Sequence, residues 1–189
     1  MKNKIILLSS SVSGSVVMAQ LIANLENHNI PTLNIDVFAA KRRKSNGLVE
    51  DLHSGPLLNI LYKIPRIRAY IRSYYGRLFI KEQVNAGDIV VIHFMDPGYL
   101  KYIDLLSKKT EKIIVHWWGS DLYRSNEETK KKISRVLDKC YRVVLVRGML
   151  NYFLKHFPSY AGQICTARLG LGFIDVIEKK KETFNRDDV

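Results

Sequence analysis

The sequence holds only two cysteines, Cys140 and Cys165, among its 189 residues. They lie far apart in apolar surroundings, which is typical of free thiols in a reducing compartment and not of a disulfide framework. Long hydrophobic runs are missing as well. The apolar stretch nearest the amino terminus covers residues 5–8, too few for the core of a signal peptide or for a membrane span. We therefore expect a soluble, cytoplasmic chain.

Recognisable phosphate-binding and metal-binding motifs are also missing. The small-residue turn at residues 9–15 has neither the G-x-G-x-x-G pattern nor the Gly-Lys-Ser/Thr of a P-loop. No third ligand has the spacing that would make the histidines a metal site, so no metal is expected. The turn is either a plain tight turn or a loop that contacts a polar ligand through the free amides opening the next helix. In the second interpretation Ser11, Ser13 and Gly14 approach the ligand.

Acidic residues are few in comparison with basic ones. The chain has 18 acidic and 30 basic residues, which give a formal net charge of +12. Residues 41–81 alone hold ten basic and two acidic residues. Such a concentrated positive patch indicates an anionic partner: a lipid surface, a pyrophosphate or a nucleic acid.

Much of this charge falls in residues 57–84, which are predicted to be helical with a break near Pro65. Arginines lie between apolar residues at helical spacing, namely Ile67, Tyr70, Ile71, Tyr74, Leu78 and Phe79. The segment is a membrane-surface helix, a nucleic-acid binder, or a core-facing helix with a solvated basic face. Because the chain has no nucleic-acid motif, we expect its partner to be the anionic inner face of the cell membrane and not a nucleic acid. The membrane-binding residues are then Arg66, Arg68, Arg72 and Arg77.

Strands and helices alternate along the rest of the chain. Apolar runs predict six strands, at residues 5–8, 32–38, 89–94, 113–117, 142–146 and 163–168. Helices are predicted at residues 16–27, 57–84, 99–107, 127–139 and 149–157. The polar stretch 41–46 is expected to be a mobile loop. This pattern predicts an α/β fold with a doubly wound, mostly parallel, six-stranded Rossmann-like sheet.

Chain order also predicts where the strands lie. The first crossover leads to strand 32–38, and the chain then returns past the first strand to strand 89–94. The gap between the first and third strands is therefore the expected switch point, where ligands bind at the carboxyl ends of the strands. The turn after Leu8 should adjoin the strand end at His93.

The most unusual residues follow strand 113–117, in the sequence His-Trp-Trp-Gly-Ser-Asp-Leu-Tyr-Arg at 116–124. His93 and His116 either accept a proton from a hydroxyl or are satisfied by local hydrogen bonds. Asp121 either caps the next helix or has a functional role, in which it orients a sugar hydroxyl or acts as a general base. The remaining residues also have two interpretations each. Trp117 and Trp118 stack on a ligand or pack in the core, and Arg124 and Arg147 bind phosphate or form surface ion pairs.

These motifs resemble the acceptor-side, N-terminal domain of GT-B fold glycosyltransferases. The resemblance depends mainly on Trp-Gly-Ser-Asp-Leu-Tyr at 118–123, which is similar to bacterial polysaccharide enzymes of the family 4 type and to lipid-linked 4-acetamidofucose transferases. Residues 88–94 and 112–124 also match, and residues 169–175 resemble the approach to the interdomain linker. Many family 4 enzymes have histidine where this chain has Trp118, so the base implied by the resemblance is His116 or Asp121, or is absent.

The resemblance implies an acceptor-binding domain at residues 1–177, with the basic insertion 57–84, and a charged tail at 178–189 that leads to a missing second domain. That domain would bind the nucleotide-sugar donor, usually with a Glu-x7-Glu pair that this sequence lacks. The chain itself is expected to need no cofactor and to be inactive alone, as a truncated piece or half of a split enzyme. Its implied acceptor is a carbohydrate or a lipid-linked saccharide. The acceptor-binding residues are Ser11, Ser13, Gly14, His93, Trp117, Trp118, Ser120, Arg124 and Arg147.

A different class of function stays open beside this one. A Rossmann-like module without catalysis would recruit a partner to the membrane or bind nucleic acid. A coding sequence that continues beyond Val189 into a glycine-rich domain with paired glutamates would favour the enzyme.

Overall fold

The computed structural model describes residues 3–9, 16–43, 49–51, 56–93, 95–117, 123 and 125–167. Eight strands form one mixed sheet: β1 Ile5–Ser9, β2 Thr32–Asp36, β3 Lys41–Arg43, β4 Val49–Asp51, β5 Ile89–His93, β6 Ile113–His116, β7 Arg142–Val146 and β8 Ile164–Ala167. The helices are α1 Val16–Asn27, α2 Pro56–Leu61, α3 Pro65–Gln83, α4 Leu100–Ser107, α5 Glu127–Leu137 and α6 Leu150–His156.

Local sequence signals set the helix boundaries close to the predicted ones. Helix α1 has the predicted bounds. The predicted break at Pro65 separates α2 from α3, and this proline occupies the first turn of α3, where its missing amide costs no helical hydrogen bond. Asn126 caps α5 by accepting a hydrogen bond from the amide of Thr129.

The sheet has the order β4-β3-β2-β1-β5-β6-β7-β8. The six strands predicted from the apolar runs are all present, and they pair in parallel. The α/β class and the mostly parallel sheet are therefore confirmed, and they are compatible with a Rossmann-like fold.

The predicted number of six strands is wrong, because β3 and β4 extend the sheet to eight. They form an antiparallel hairpin beside β2, where a mobile loop was predicted for residues 41–46. Opposite charges face each other across the hairpin, with Arg42 paired to Glu50 and Lys41 to Asp51. Exposed pairs of this kind each contribute little, so the hairpin also depends on its backbone pairing to β2.

The two faces of the sheet differ in burial. On the core face, alternate strand residues such as Ile92, Val115 and Val143 are fully buried against α3, α4, α5 and α6. On the opposite face, Val91 and Ile114 are only half-buried. The polar strand ends of the candidate site lie on this second face, because side chains alternate along a strand.

The predicted boundary between a domain at 1–177 and a tail at 178–189 lies outside the described residues. Among the residues with described structure, no helix has the length and apolar character needed to cross a membrane.

Candidate functional site

The predicted switch point is present between β1 and β5. Strand β1 pairs in parallel with β2 on one side and β5 on the other, and Ser9 lies in register with His93. The crossovers on the two sides of β1 run in opposite directions, the arrangement that in open α/β sheets places the ligand at the carboxyl ends of the strands. The carboxyl end of β1 at Ser9 lies beside His93 as predicted, and the turn that follows it lies outside the described residues.

Three polar residues share one row at this edge. Ser9, His93 and His116 are in register on β1, β5 and β6, so their side chains lie on the same face of the sheet. Ser9 and His93 are buried, and His116 is half-buried. The Nδ1 atoms of the two histidines are 3.2 Å apart, and the rings meet edge to face with centroids 5.0 Å apart.

Burial keeps this histidine pair neutral at physiological pH. Desolvation, together with the nearby charge of His116, lowers the pKa of His93 from 6.5 to about 3. Desolvation also lowers the pKa of His116. In a neutral pair one ring donates its Nδ1–H and the other accepts. The lowered pKa values keep the rings in the neutral form that can accept a proton, and they also make each ring a weaker base than free imidazole.

A buried amide extends the polar row onto β2. The hydroxyl of Ser9 donates to Oδ1 of Asn34 at 3.2 Å. Asn34 is buried, and its Nδ2 has no partner in the part of the chain that the structure describes. A buried donor left unpaired is costly, which is typical of a position that a ligand or water completes.

Asp36 ends β2 at the position where dinucleotide-binding folds hold a ribose. Here its Oδ1 accepts hydrogen bonds from the amides of Phe38 at 2.9 Å and Ala39 at 2.7 Å. Burial raises its pKa, against the lowering effect of these amides. The carboxylate therefore stabilises the turn after β2 and is not presented to a ribose.

Trp117, one of the predicted acceptor-binding residues, is fully buried. Its ring packs against Phe153 at 5.1 Å and lies nearly parallel to Phe157 at 5.8 Å between centroids. Of its two interpretations the structure favours core packing, because the buried ring has no open face for a sugar. Trp117 therefore contributes to the hydrophobic core.

Arg147 is exposed and begins a short 3₁₀ turn directly after β7, at the same edge as the histidines. Within the described residues its guanidinium has no ion-pair partner. The assignment of phosphate binding to Arg147 stays a prediction. The other predicted site residues lie outside the described residues: Ser11, Ser13, Gly14, Trp118, Ser120, Asp121 and Arg124.

A second cluster at this edge was not predicted. Tyr123 is exposed and packs edge to face on Tyr152, whose ring contacts His156. Nζ of Lys130 lies 3.0 Å from Nδ1 of His156 and donates to Glu127 at 2.7 Å. These contacts fix an aromatic ring beside the residues that follow β6.

Sequence reasoning missed Asn34, although a signal was present. Asn34 and Asp36 alternate within a strand that the topology places next to β1, and polar residues two apart in such a strand share one face. Among the described residues, no three His, Cys, Asp or Glu side chains come close enough to hold a metal ion.

Comparison of the chain with protein-family models, with curated proteins and with solved structures gives no match. The function of the site is therefore inferred from its residues and their geometry.

Proposed function

We propose that this chain is the acceptor-binding half of a nucleotide-sugar-dependent glycosyltransferase. The observation that carries the proposal is the neutral His93–His116 pair at the switch point of a parallel sheet. A sugar hydroxyl loses its proton as it attacks, and the neutral form of an imidazole is the form that can accept that proton.

We assign different parts to the two rings. In the tautomer that suits catalysis, Nδ1–H of His116 donates to Nδ1 of His93, and Nε2 of His116 then carries no hydrogen. His93 is the more deeply buried ring and burial lowers its pKa to about 3, so we assign it the part of orienting His116. Asp121 is the alternative base from the sequence, and its place in the structure lies outside the described residues.

The supporting residues fit a polar acceptor. Ser9 and Asn34 place hydroxyl and amide groups beside the histidine pair, and Arg147 follows β7 at the same edge. The donor nucleotide sugar would be bound by a second domain or by a partner subunit. This division of labour is the one implied by the sequence resemblance.

The test uses this chain joined to a donor-binding half, with transfer to a saccharide acceptor as the measurement. His116→Gln should lower kcat at least about 10²-fold and leave the donor KM unchanged, because a lost general base typically costs that much. His28→Gln is the matched control, since this histidine is exposed and far from the site.

Two outcomes would count against the proposal. If His116→Gln transfers sugar as fast as the parent, the histidine pair is not the base, and Asp121→Asn becomes the variant to measure. If the joined protein consumes none of a panel of nucleotide sugars, the chain is better described as a module without catalysis.

A further inference from the structure

Exposed apolar side chains are concentrated in one region of the molecule. Six large apolar or aromatic side chains are exposed in the described part of the chain, and four of them belong to α2, α3 or the turn between them. These four are Ile60 at 62% exposure, Ile64 at 48%, Tyr70 at 74% and Tyr74 at 53%. Single exposed apolar residues need no explanation, whereas a contiguous group marks an interaction surface.

Helical spacing combines these residues with basic ones. Exposed side chains recur every three or four residues along α3, and they include Arg66, Tyr70, Tyr74, Arg77 and Lys81. The opposite side of the helix buries Ile71, Phe79 and Ile80 in the core. The solvent side of α3 is therefore a ridge of tyrosines between cations. We call this ridge, together with Ile60 and Ile64, the α2–α3 surface.

The charge of the segment that carries this surface has one sign. Residues 52–81 contain six basic residues and no aspartate or glutamate. The first acidic residue after them is Glu82, at the far end of α3. A segment with only positive charge attracts an anionic partner and repels basic ones.

Not every arginine of the segment belongs to the surface. Arg72 is half-buried, donates from Nε to the hydroxyl of Tyr62 at 2.6 Å, and lies over the Tyr62 ring. Arg68 is also half-buried. The membrane role predicted for Arg72 is therefore not supported by its position, and the outward arginines are Arg66 and Arg77.

The α2–α3 surface begins at the edge of the sheet that carries the candidate site. Tyr62 donates to the carbonyl of Ala39, in the turn that follows the carboxyl end of β2. Helix α3 then runs to the amino edge, where the chain enters β5. Ile60 and Ile64 thus lie at the same edge as the histidine pair.

We propose that the α2–α3 surface docks on an anionic lipid bilayer. Ile60 and Ile64 insert at the boundary of the acyl chains, Tyr70 and Tyr74 lie at headgroup level, and Arg66 and Arg77 contact the anionic headgroups. Ile60 and Ile64 favour a lipid partner over a nucleic acid. An exposed aliphatic side chain makes no favourable contact with a phosphodiester backbone, whereas it partitions into a membrane interface. If the chain docks in this way, and on the proposed function, the acceptor of the sugar is itself borne by the membrane.

The test measures binding of the full chain to vesicles of phosphatidylglycerol with phosphatidylcholine and to vesicles of phosphatidylcholine alone. Arg66→Gln with Arg77→Gln should lower binding to the anionic vesicles about 25-fold at low salt, which is about fivefold for each cation. Ile60→Ser with Ile64→Ser should lower it at least about tenfold, and this loss should persist in 1 M salt, where charges are screened within about 3 Å.

Matched controls separate docking from general charge attraction. Lys131→Gln with Arg135→Gln removes the same charge from the exposed side of α5 and should leave vesicle binding unchanged. Arg72→Gln should also bind vesicles like the parent, although it loses the contact with Tyr62. All variants are compared at temperatures well below their unfolding midpoints.

Three outcomes would overturn the docking proposal. In the first, the α5 variant loses as much vesicle binding as the Arg66 and Arg77 variant. In the second, the Ile60 and Ile64 variant binds vesicles as tightly as the parent. In the third, the parent chain binds a short single-stranded RNA more tightly than it binds anionic vesicles. Because no sugar is present in these measurements, their failure leaves the glycosyltransferase proposal untouched. Conversely, a joined enzyme that docks normally but transfers no sugar would contradict the proposed function alone.

Discussion

His93 and His116 meet with their Nδ1 atoms 3.2 Å apart, and this contact needs at least one neutral ring. Sequence reasoning predicted that both side chains lie near one crevice, because the carboxyl ends of neighbouring parallel strands share an edge. It did not predict the direct contact, which depends on the register of β5 against β6. Register is set by the packing of the whole sheet and is not visible in two short apolar runs.

The buried pair makes stability depend on pH in a defined direction. Because the pKa of His93 falls from 6.5 to about 3 on folding, the unfolded chain binds more protons between these values. The contribution of His93 to the free energy of unfolding should therefore be fully present above pH 6.5. It should decline as the pH falls toward 3, by at most about 1.4 kcal/mol per pH unit. Urea unfolding at several pH values should show a shallower decline for His93→Gln than for the parent. Equal slopes in the two proteins would contradict the assignment, and His28→Gln serves as the control.

Trp117 and Trp118 are adjacent, and the sequence gives both the same two interpretations. Strand alternation offers a way to separate them, since Trp117 is two residues after Val115 and shares its buried face. Trp117→Ala should lower the free energy of unfolding by about 3–5 kcal/mol, the usual cost of emptying a large aromatic site. Tyr70→Ala, at an exposed position, should change it by less than about 0.5 kcal/mol. A change below about 1 kcal/mol for Trp117→Ala would show that its ring is not part of the core.

At the scale of elements, the existence of α3 was predictable but its orientation was not. Its apolar residues cover a wide arc, and the pattern does not say which part of that arc faces the core. Tyrosine is suited to either environment, so Tyr70 and Tyr74 were grouped with Ile71 and Phe79 although they face solvent. The orientation is fixed by long-range contacts such as those of Gly76, which no local pattern contains.

Gly76 offers a direct test of this packing. A Cβ at Gly76 would lie 2.8 Å from the carbonyl oxygen of Val37 and 3.0 Å from the hydroxyl of Tyr102, two groups joined by a hydrogen bond. Glycine to alanine in a helix ordinarily stabilises by about 1 kcal/mol. Here Gly76→Ala should instead destabilise, by about 1–3 kcal/mol, because backbone must move.

The control for this prediction is Gly148→Ala. No atom lies within 4 Å of a Cβ at that position, so the unfolding free energy should stay constant or rise slightly. If both variants gain stability in thermal unfolding, α3 does not approach the turn after β2 as closely as the structure shows.

The β3–β4 hairpin was missed for a different reason. Lys41–Arg43 has no apolar alternation, and the sequence pattern of a strand depends on such alternation. The signal that was present is the charge complementarity of Lys-Arg-Arg with Val-Glu-Asp eight residues later. A strand that is held by backbone pairing at a sheet edge needs no buried side chains, so hydrophobic pattern alone does not reveal it.

For the whole molecule, chain order was sufficient to predict the parallel strands and the switch point, because right-handed crossovers leave few arrangements. The same rules do not show which polar residues are brought together. Ser9, Asn34 and His93 are distant in sequence, and they meet only after three strands have paired. The candidate site is thus a product of the complete sheet, and it should be lost as a unit when the sheet opens.

The two thiols provide a probe of that global opening. Cys165 is exposed on β8, whereas Cys140 is buried in the core, donates to the carbonyl of Val136 at 3.2 Å, and has its pKa raised to about 12 by burial. A thiol reagent needs the thiolate, so Cys165 should react in the native chain and Cys140 only after unfolding. In Cys165→Ser, the rate of Cys140 labelling should rise with urea in parallel with the unfolding measured by circular dichroism. Rapid labelling of Cys140 in the absence of urea would show that α5 opens locally, and that the core does not unfold as one cooperative unit.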